Sequence, residues 1–175
     1  MRRRVIWSSL CLLTLTLAGC ASGGSTTALE PMAAPLGSNY RTIVVSVASS
    51  VPDSDADARA LENEIITELR KNPRLASVVS ATGSPDAKAD LRLDANIVNL
   101  RKVSPGKRVM LGALAGRGSV TVDVNLVDGT SRRNLAAFTS EGKTSGGTVF
   151  AGTTEQALQR AAEEIAGFVS QSLGS

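Results

Sequence analysis

The chain has 175 residues, with 19 Lys and Arg against 16 Asp and Glu, two cysteines and no histidine. The missing histidine excludes Ser-His-Asp and Cys-His catalysis, imidazole metal sites and imidazole acid-base chemistry. The net charge of +3 resides in Arg2, Arg3 and Arg4; without those three the 19 basic residues become 16, matching the 16 acidic ones. The basic balance is therefore a property of the extreme amino terminus and gives no argument for nucleic-acid binding.

Those arginines open a tripartite segment. An apolar run over residues 5–17 follows, broken only by small hydroxyl residues such as Ser8 and Thr14. As a helix it would span about 20 Å, short of the roughly 30 Å hydrocarbon core, so it reads as the h-region of a secretory signal and not as a permanent span. It ends in Leu17-Ala18-Gly19-Cys20, which resembles the lipobox of bacterial lipoprotein precursors. Small residues at Ala18 and Gly19 admit the chain to a narrow peptidase site, and the Cys20 thiolate accepts a diacylglyceryl group as a thioether. Cleavage before Cys20 frees an amino group for a further acyl chain, and two or three chains anchor stably where one does not. The residues after the arginines lack the fuller twin-arginine pattern, so Sec export is expected. By resemblance to Gram-negative lipoproteins, Ala21 rather than Asp after the cysteine points to the outer membrane.

The expected organisation is a signal peptide over 1–19, a lipidated flexible tether over 20–39, and one periplasmic domain over 40–175. Cys11 leaves with the signal and Cys20 is acylated, so the mature chain has no disulfide. Trp7 leaves too; Tyr40, Phe138, Phe150 and Phe168 are then the aromatics, too few for a base- or sugar-stacking platform. Residues 21–38 are mostly Ser, Gly, Thr, Ala and Pro, the composition of a linker.

Ordered elements are expected from Tyr40 onward. Residues 42–47, Thr-Ile-Val-Val-Ser-Val, read as a strand buried on both faces. Pro52 and an Asp cluster introduce a helix over 56–71, with Leu61, Ile65 and Leu69 on one stripe, acids at its start, and Arg70 and Lys71 at its end. Asn72-Pro73 stops it, and a short strand over 75–79 follows. Residues 90–103 alternate, with Leu91, Leu93, Ala95 and Ile97 on one face; the phase slips at Ile97-Val98, which predicts a β-bulge. Residues 118–127 alternate again, Asp128-Gly129 turns the chain, and 134–144 return as a third long strand. Thr153 and Gln156 form a capping box for a final helix with Leu158, Ala162, Ile165 and Val169 on one face. The fold class is α+β: strand, helix, strand, a three-stranded antiparallel meander and a carboxy-terminal helix, both helices on one face of a mixed sheet.

Three motif matches compete with bland readings. Residues 137–144, A-F-T-S-E-G-K-T, match a permissive P-loop, but no helix starts directly after Lys143-Thr144. Asp53, Asp55, Asp57 and Glu64 occupy calcium-loop spacings, yet Ala58 stands where the sharp turn needs Gly, and helix-end carboxylates explain them. Ser104-x-x-Lys107 and Ser140-x-x-Lys143 imitate a Ser-Lys catalytic pair without its helix or companion motifs. No metal and no cofactor is expected beyond the covalent lipid on Cys20.

A basic cluster of Arg101, Lys102, Lys107, Arg108 and Arg117 contrasts with an acidic stretch over 53–68. Solvated strand faces account for it; two opposed faces that pair with a second copy, or with anionic lipid or glycan, are the other reading. Within the cluster, the apolar Gly-rich run from Val109 through Leu111 and Leu114 to Gly116 is too short to span a membrane as a helix. It is either a buried crossing or an exposed contact segment, flanked by Arg108 and Arg117.

The Gly-rich residues 112–119, the strand over 120–128 and the G-G-T-V-F-A-G-T-T run over 146–154 resemble the bacterial lipoprotein family catalogued as domain of unknown function 4410. Where that family often continues Asp-x-x-Thr-Gly, this chain has Asp128-Gly129-Thr130-Ser131. The chain is more distantly similar to the periplasmic domains of curli-secretion lipoproteins, which assemble into membrane pores. The resemblance implies a fold and not a mechanism. The expected function is a non-enzymatic, lipid-anchored envelope module that binds an envelope protein, a polymer or a second copy of itself; the alternative is a subunit of an outer-membrane secretion or transport assembly.

Overall fold

The computed structural model describes residues 24–30, 36, 39–84, 87–102, 117–144 and 153–174. Six strands, β1 (Gly24–Glu30), β2 (Thr42–Ser49), β3 (Ser77–Ser80), β4 (Leu91–Arg101), β5 (Ser119–Asp128) and β6 (Asn134–Lys143), form one mixed sheet. Its order is β1-β6-β5-β4-β2-β3. The meander β4-β5-β6 is antiparallel, β2 lies parallel to both β4 and β3, and β1 adds antiparallel to β6. Helices α1 (Asp55–Leu69) and α2 (Thr154–Ser172) follow strands β2 and β6.

The α+β expectation holds, with both helices on one face of the sheet. Along β4 the core side takes Leu91, Leu93, Ala95 and Ile97; along β5 it takes Val120, Val122, Val124 and Leu126. Period-2 alternation allows no other outcome once one face is covered. The helices answer with Leu61, Ile65 and Leu69 from α1, and Leu158, Ala162, Ile165 and Val169 from α2, all fully or nearly buried. Phe138 of β6 lies against Phe168 of α2 with ring centroids 4.1 Å apart. The bulge sits where the alternation slips: pairing with β5 shifts between Ile97 and Asn99, which turns Val98 outward at 40% exposure.

Both helix starts differ from a simple carboxylate cap. Thr153 caps α2 by accepting from the Gln156 N–H. Ser54 stands at the start of α1, but its hydroxyl donates to the Val51 carbonyl and meets the Ser49 hydroxyl, leaving Asp55 and Asp57 to face the positive end of the helix dipole. Buried Glu62 of α1 accepts from the Ser80 hydroxyl, which ties the helix to edge strand β3.

The tether expectation needs correction over 24–30. Those residues form β1, in six register pairs with β6 from Gly24↔Gly142 to Glu30↔Ala137. Their Ser/Thr-rich composition suits a linker, but an edge strand needs only one hydrogen-bonded neighbour and one half-covered face. The folded unit therefore reaches back at least to Gly24.

Candidate contact surface

The strand directions divide the molecule into two ends. Strands β2, β4 and β6 finish, and β1, β5 and both helices begin, at the end we call upper. There Arg101 pairs with Ser119, Ser119 with Lys143, and Gly142 with Gly24. Thr144 locks this junction: its N–H and hydroxyl donate to the Gly118 carbonyl, and its Oγ1 accepts from the Gly118 N–H at 3.0 Å. Thr144 and Gly118 are buried, so both chain crossings are pinned. The roots of the two Gly-rich segments, 103–116 and 145–152, consequently stand side by side.

The charged segments meet at the same end. Lys102 Nζ lies 2.7 Å from Asp57 Oδ2 and donates to the Asp53 carbonyl at 3.0 Å. Asp53 has a φ of 55°, and the lysine secures this left-handed turn into α1. The acidic stretch and the basic cluster are thus partly spent on each other within one chain.

At the lower end a polar latch closes the strand feet. Tyr40 donates from its hydroxyl to Asp128 Oδ2 at 2.8 Å, while Asp128 Oδ1 accepts from the Thr130 and Ser131 N–H groups and the Ser131 hydroxyl. The Ser131 N–H first, then the Tyr40 and Ser131 hydroxyls, hold the Asp128 carboxyl down to about 2. The same bond to Asp128 raises the Tyr40 phenol, with burial adding to it. Beside them Asp90 accepts from the Arg41 and Thr42 N–H groups and the Thr42 hydroxyl, and these bonds hold its carboxyl below the usual carboxylate range as well. Gly129 N–H donates to the Asp90 carbonyl, and a Cβ at Gly129 would stand 1.8 Å from the Ala89 carbonyl oxygen. Each of these carboxylates receives backbone N–H groups at a turn or strand end, and Asp128 also receives the Tyr40 hydroxyl.

Next to the latch, on the helix-free face, an open recess of about 580 Å³ is lined by Lys88, Arg92, Thr130 and Arg132 over the buried Val44. Arg92 is paired with Asp94 at 2.9 Å. A second recess of about 590 Å³ lies between the ends of the helices, lined by Lys71, Arg74, Gly167 and Ser170. Among the described residues no helix is long and apolar enough to cross a membrane, and no group of three metal-ligating side chains occurs.

The residues singled out from the sequence are placed unevenly. Arg117 is exposed beside Gly118, Arg101 ends β4, and Lys102 follows it. Leu17, Ala18, Gly19, Cys20, Lys107, Arg108, Val109, Leu111 and Leu114 lie outside the described residues. Ser140 and Lys143 sit on opposite faces of β6: the serine is buried with its hydroxyl toward the Ala161 carbonyl, the lysine is exposed and paired with Glu141. They cannot act as a pair. The P-loop match runs along β6 itself, and the next described helix begins at Thr154. Glu64 is inside α1, which removes it from any loop with Asp53. The latch at Tyr40, Asp90 and Asp128 was not foreseen; its only sequence signals were a lone tyrosine before a strand and aspartates at two strand ends.

A six-stranded mixed sheet under two helices defines a small α+β domain. The chain belongs to the family described as domain of unknown function (DUF4410), which it matches over residues 27–151. Among solved structures it is similar to a PelC variant from Paraburkholderia phytofirmans, seen as a dodecamer, at 18% identity and a TM-score of 0.58, over 87% of this chain and 99% of that one. A second PelC dodecamer from that organism aligns at 17% identity and a TM-score of 0.57, over 82% and 96% of the two chains. A Xanthomonas campestris protein of family DUF330 aligns at 12% identity and a TM-score of 0.51, over 82% and 90%. At these identities the likeness is one of fold. No curated protein matches the chain in sequence.

Proposed function

We propose that the chain is a lipid-anchored envelope protein, held at the outer membrane through Cys20, whose domain works by contact and not by catalysis. The observation that carries this reading is the junction of Gly118 with Thr144, which sets the roots of the two Gly-rich segments side by side at one end of the sheet. Two segments rooted side by side on a rigid sheet suit recognition of another macromolecule. The carboxylates of shifted acidity are occupied by turn and strand-end amides, which supports a non-enzymatic role. The partner would be an envelope protein or polymer.

The second reading is a subunit of a secretion or transport assembly built from copies of the chain. Its support is the fold shared with PelC, which forms dodecamers. Sedimentation of a signal-free Cys20→Ser chain over a wide concentration range separates the two. A concentration-independent monomer favours the tethered contact module. A defined large oligomer favours the assembly, which should then be lost in Leu111→Asp or Leu114→Asp. A polydisperse, concentration-driven series without a defined species would contradict both.

A further inference from the structure

We propose that the upper end of the sheet, where Gly24 meets Gly142 and Ser119 meets Lys143, faces the bilayer, and that the Tyr40–Asp128 latch stands at the far side. The proposal rests on the lipid-anchor reading and adds an orientation to it. Gly24 stands four positions after Cys20, and at full extension those four steps reach no more than about 14 Å. Gly24 is not free to drift from the sheet. It opens six register pairs with β6, and the Glu164 side chain of α2 lies where a Cβ on Gly24 would fall, 2.1 Å from its Cγ. A lipid on Cys20 must therefore sit close to the upper end.

The strands then measure the distance to the other end. Strand β5 runs ten residues from Ser119 to Asp128, about 33 Å at the usual rise. Arg117 is placed near the headgroups and Arg133 beyond the length of the sheet from them. Chain length sets this orientation and charge does not. The upper end carries Arg101, Lys102, Arg117 and Lys143 but also Asp53, Asp55, Asp57, Glu141 and Glu155, with Lys102 on Asp57 and Lys143 on Glu141. The partner is the lipid surface itself, of either headgroup charge.

The test uses the full lipidated protein reconstituted in phosphatidylcholine vesicles, and again with phosphatidylglycerol added. Cys11 lies in the expected signal and the Cys20 thiol would be blocked, so Arg117→Cys and Arg133→Cys each offer one thiol for a donor dye. Energy transfer to acceptor-labelled headgroups should be roughly twofold or more higher from 117 than from 133, given about 33 Å between them. It should not change between low and high salt. A twelve-residue Gly/Ser insertion after Ala21, with a coil reach of about 20 Å, should erase most of the difference. Equal transfer from both positions, or more from 133, overturns the orientation while leaving the anchor intact. Protein that does not float with the vesicles overturns the anchor and the orientation with it.

Discussion

Gly24 and Gly142 face each other across the β1–β6 ladder, and each is open to a neighbour that a side chain would displace. At Gly142 that neighbour is backbone: an added Cβ would lie 2.0 Å from the Ala157 carbonyl oxygen and 2.7 Å from the Ala161 nitrogen. The first turns of α2 rest directly on the sheet there, with Ala157 and Ala161 fully buried. A main-chain contact cannot turn away as a side chain can. Gly142→Val is expected to cost at least about 3 kcal/mol, the upper range of overpacking, or about 6–12 °C in melting temperature for a domain of this size. Gly83→Ala, with nothing within 4 Å of the added Cβ, should be nearly silent. Parallel thermal denaturation of the two variants checks the contrast.

The latch gives a pH signature. The Asp128 carboxyl titrates near about 2 in the fold against 3.8 for the free group. Its folded value is depressed, so its stabilisation is fully present above pH 4 and is lost as pH falls toward 2. Asp128→Asn cannot titrate. The melting temperature of the native chain should fall more steeply between pH 4 and 2 than that of the variant, and the difference between them should shrink across that window. Parallel slopes would show that the latch does not couple to folding.

Lys102 bridges Asp57 at the surface, with 49% of the lysine side chain exposed. Exposed pairs contribute roughly 0–1 kcal/mol. Lys102→Met should therefore lower stability by less than about 1 kcal/mol in urea denaturation, and raised salt should narrow the gap. A loss above 2 kcal/mol would show that the bond to the Asp53 carbonyl, which secures the left-handed turn, outweighs the ion pair.

Phe138 and Phe168 form the one aromatic contact in the described core. Phe138 is fully buried, so Phe138→Ala is expected to cost about 3–5 kcal/mol. Phe168 is half-covered at the edge of α2, and Phe168→Ala should cost clearly less. Chemical denaturation of both variants tests the ranking.

Much of this fold was legible because burial imposes a period. Leu91, Leu93, Ala95 and Ile97 announce a strand with one covered face, and the slip after Ile97 marks the bulge at its residue. Leu158, Ala162, Ile165 and Val169 do the same for a helix. Strand β1 has no such period: Thr27, Ala28 and Leu29 are exposed in succession, Leu29 at 61%. Its place is set by hydrogen bonds to β6, about which side-chain pattern is silent. The latch was hidden for a different reason, since Tyr40 and Asp128 stand 88 positions apart and meet only when β2 and β5 are in one sheet. Opposite charge in the segments around Asp57 and Lys102 was visible, but that they satisfy each other within one chain depends on β4 and α1 ending together.

The central claim, that this domain is held to a membrane by lipid on Cys20, is tested most directly by the intact mass of the protein extracted from washed membranes. The account predicts a chain beginning at residue 20 that carries a diacylglyceryl group and a further acyl chain, with Cys20→Ser moving the protein to the soluble fraction. A native chain recovered soluble, unacylated and cleaved elsewhere than before Cys20 would contradict it.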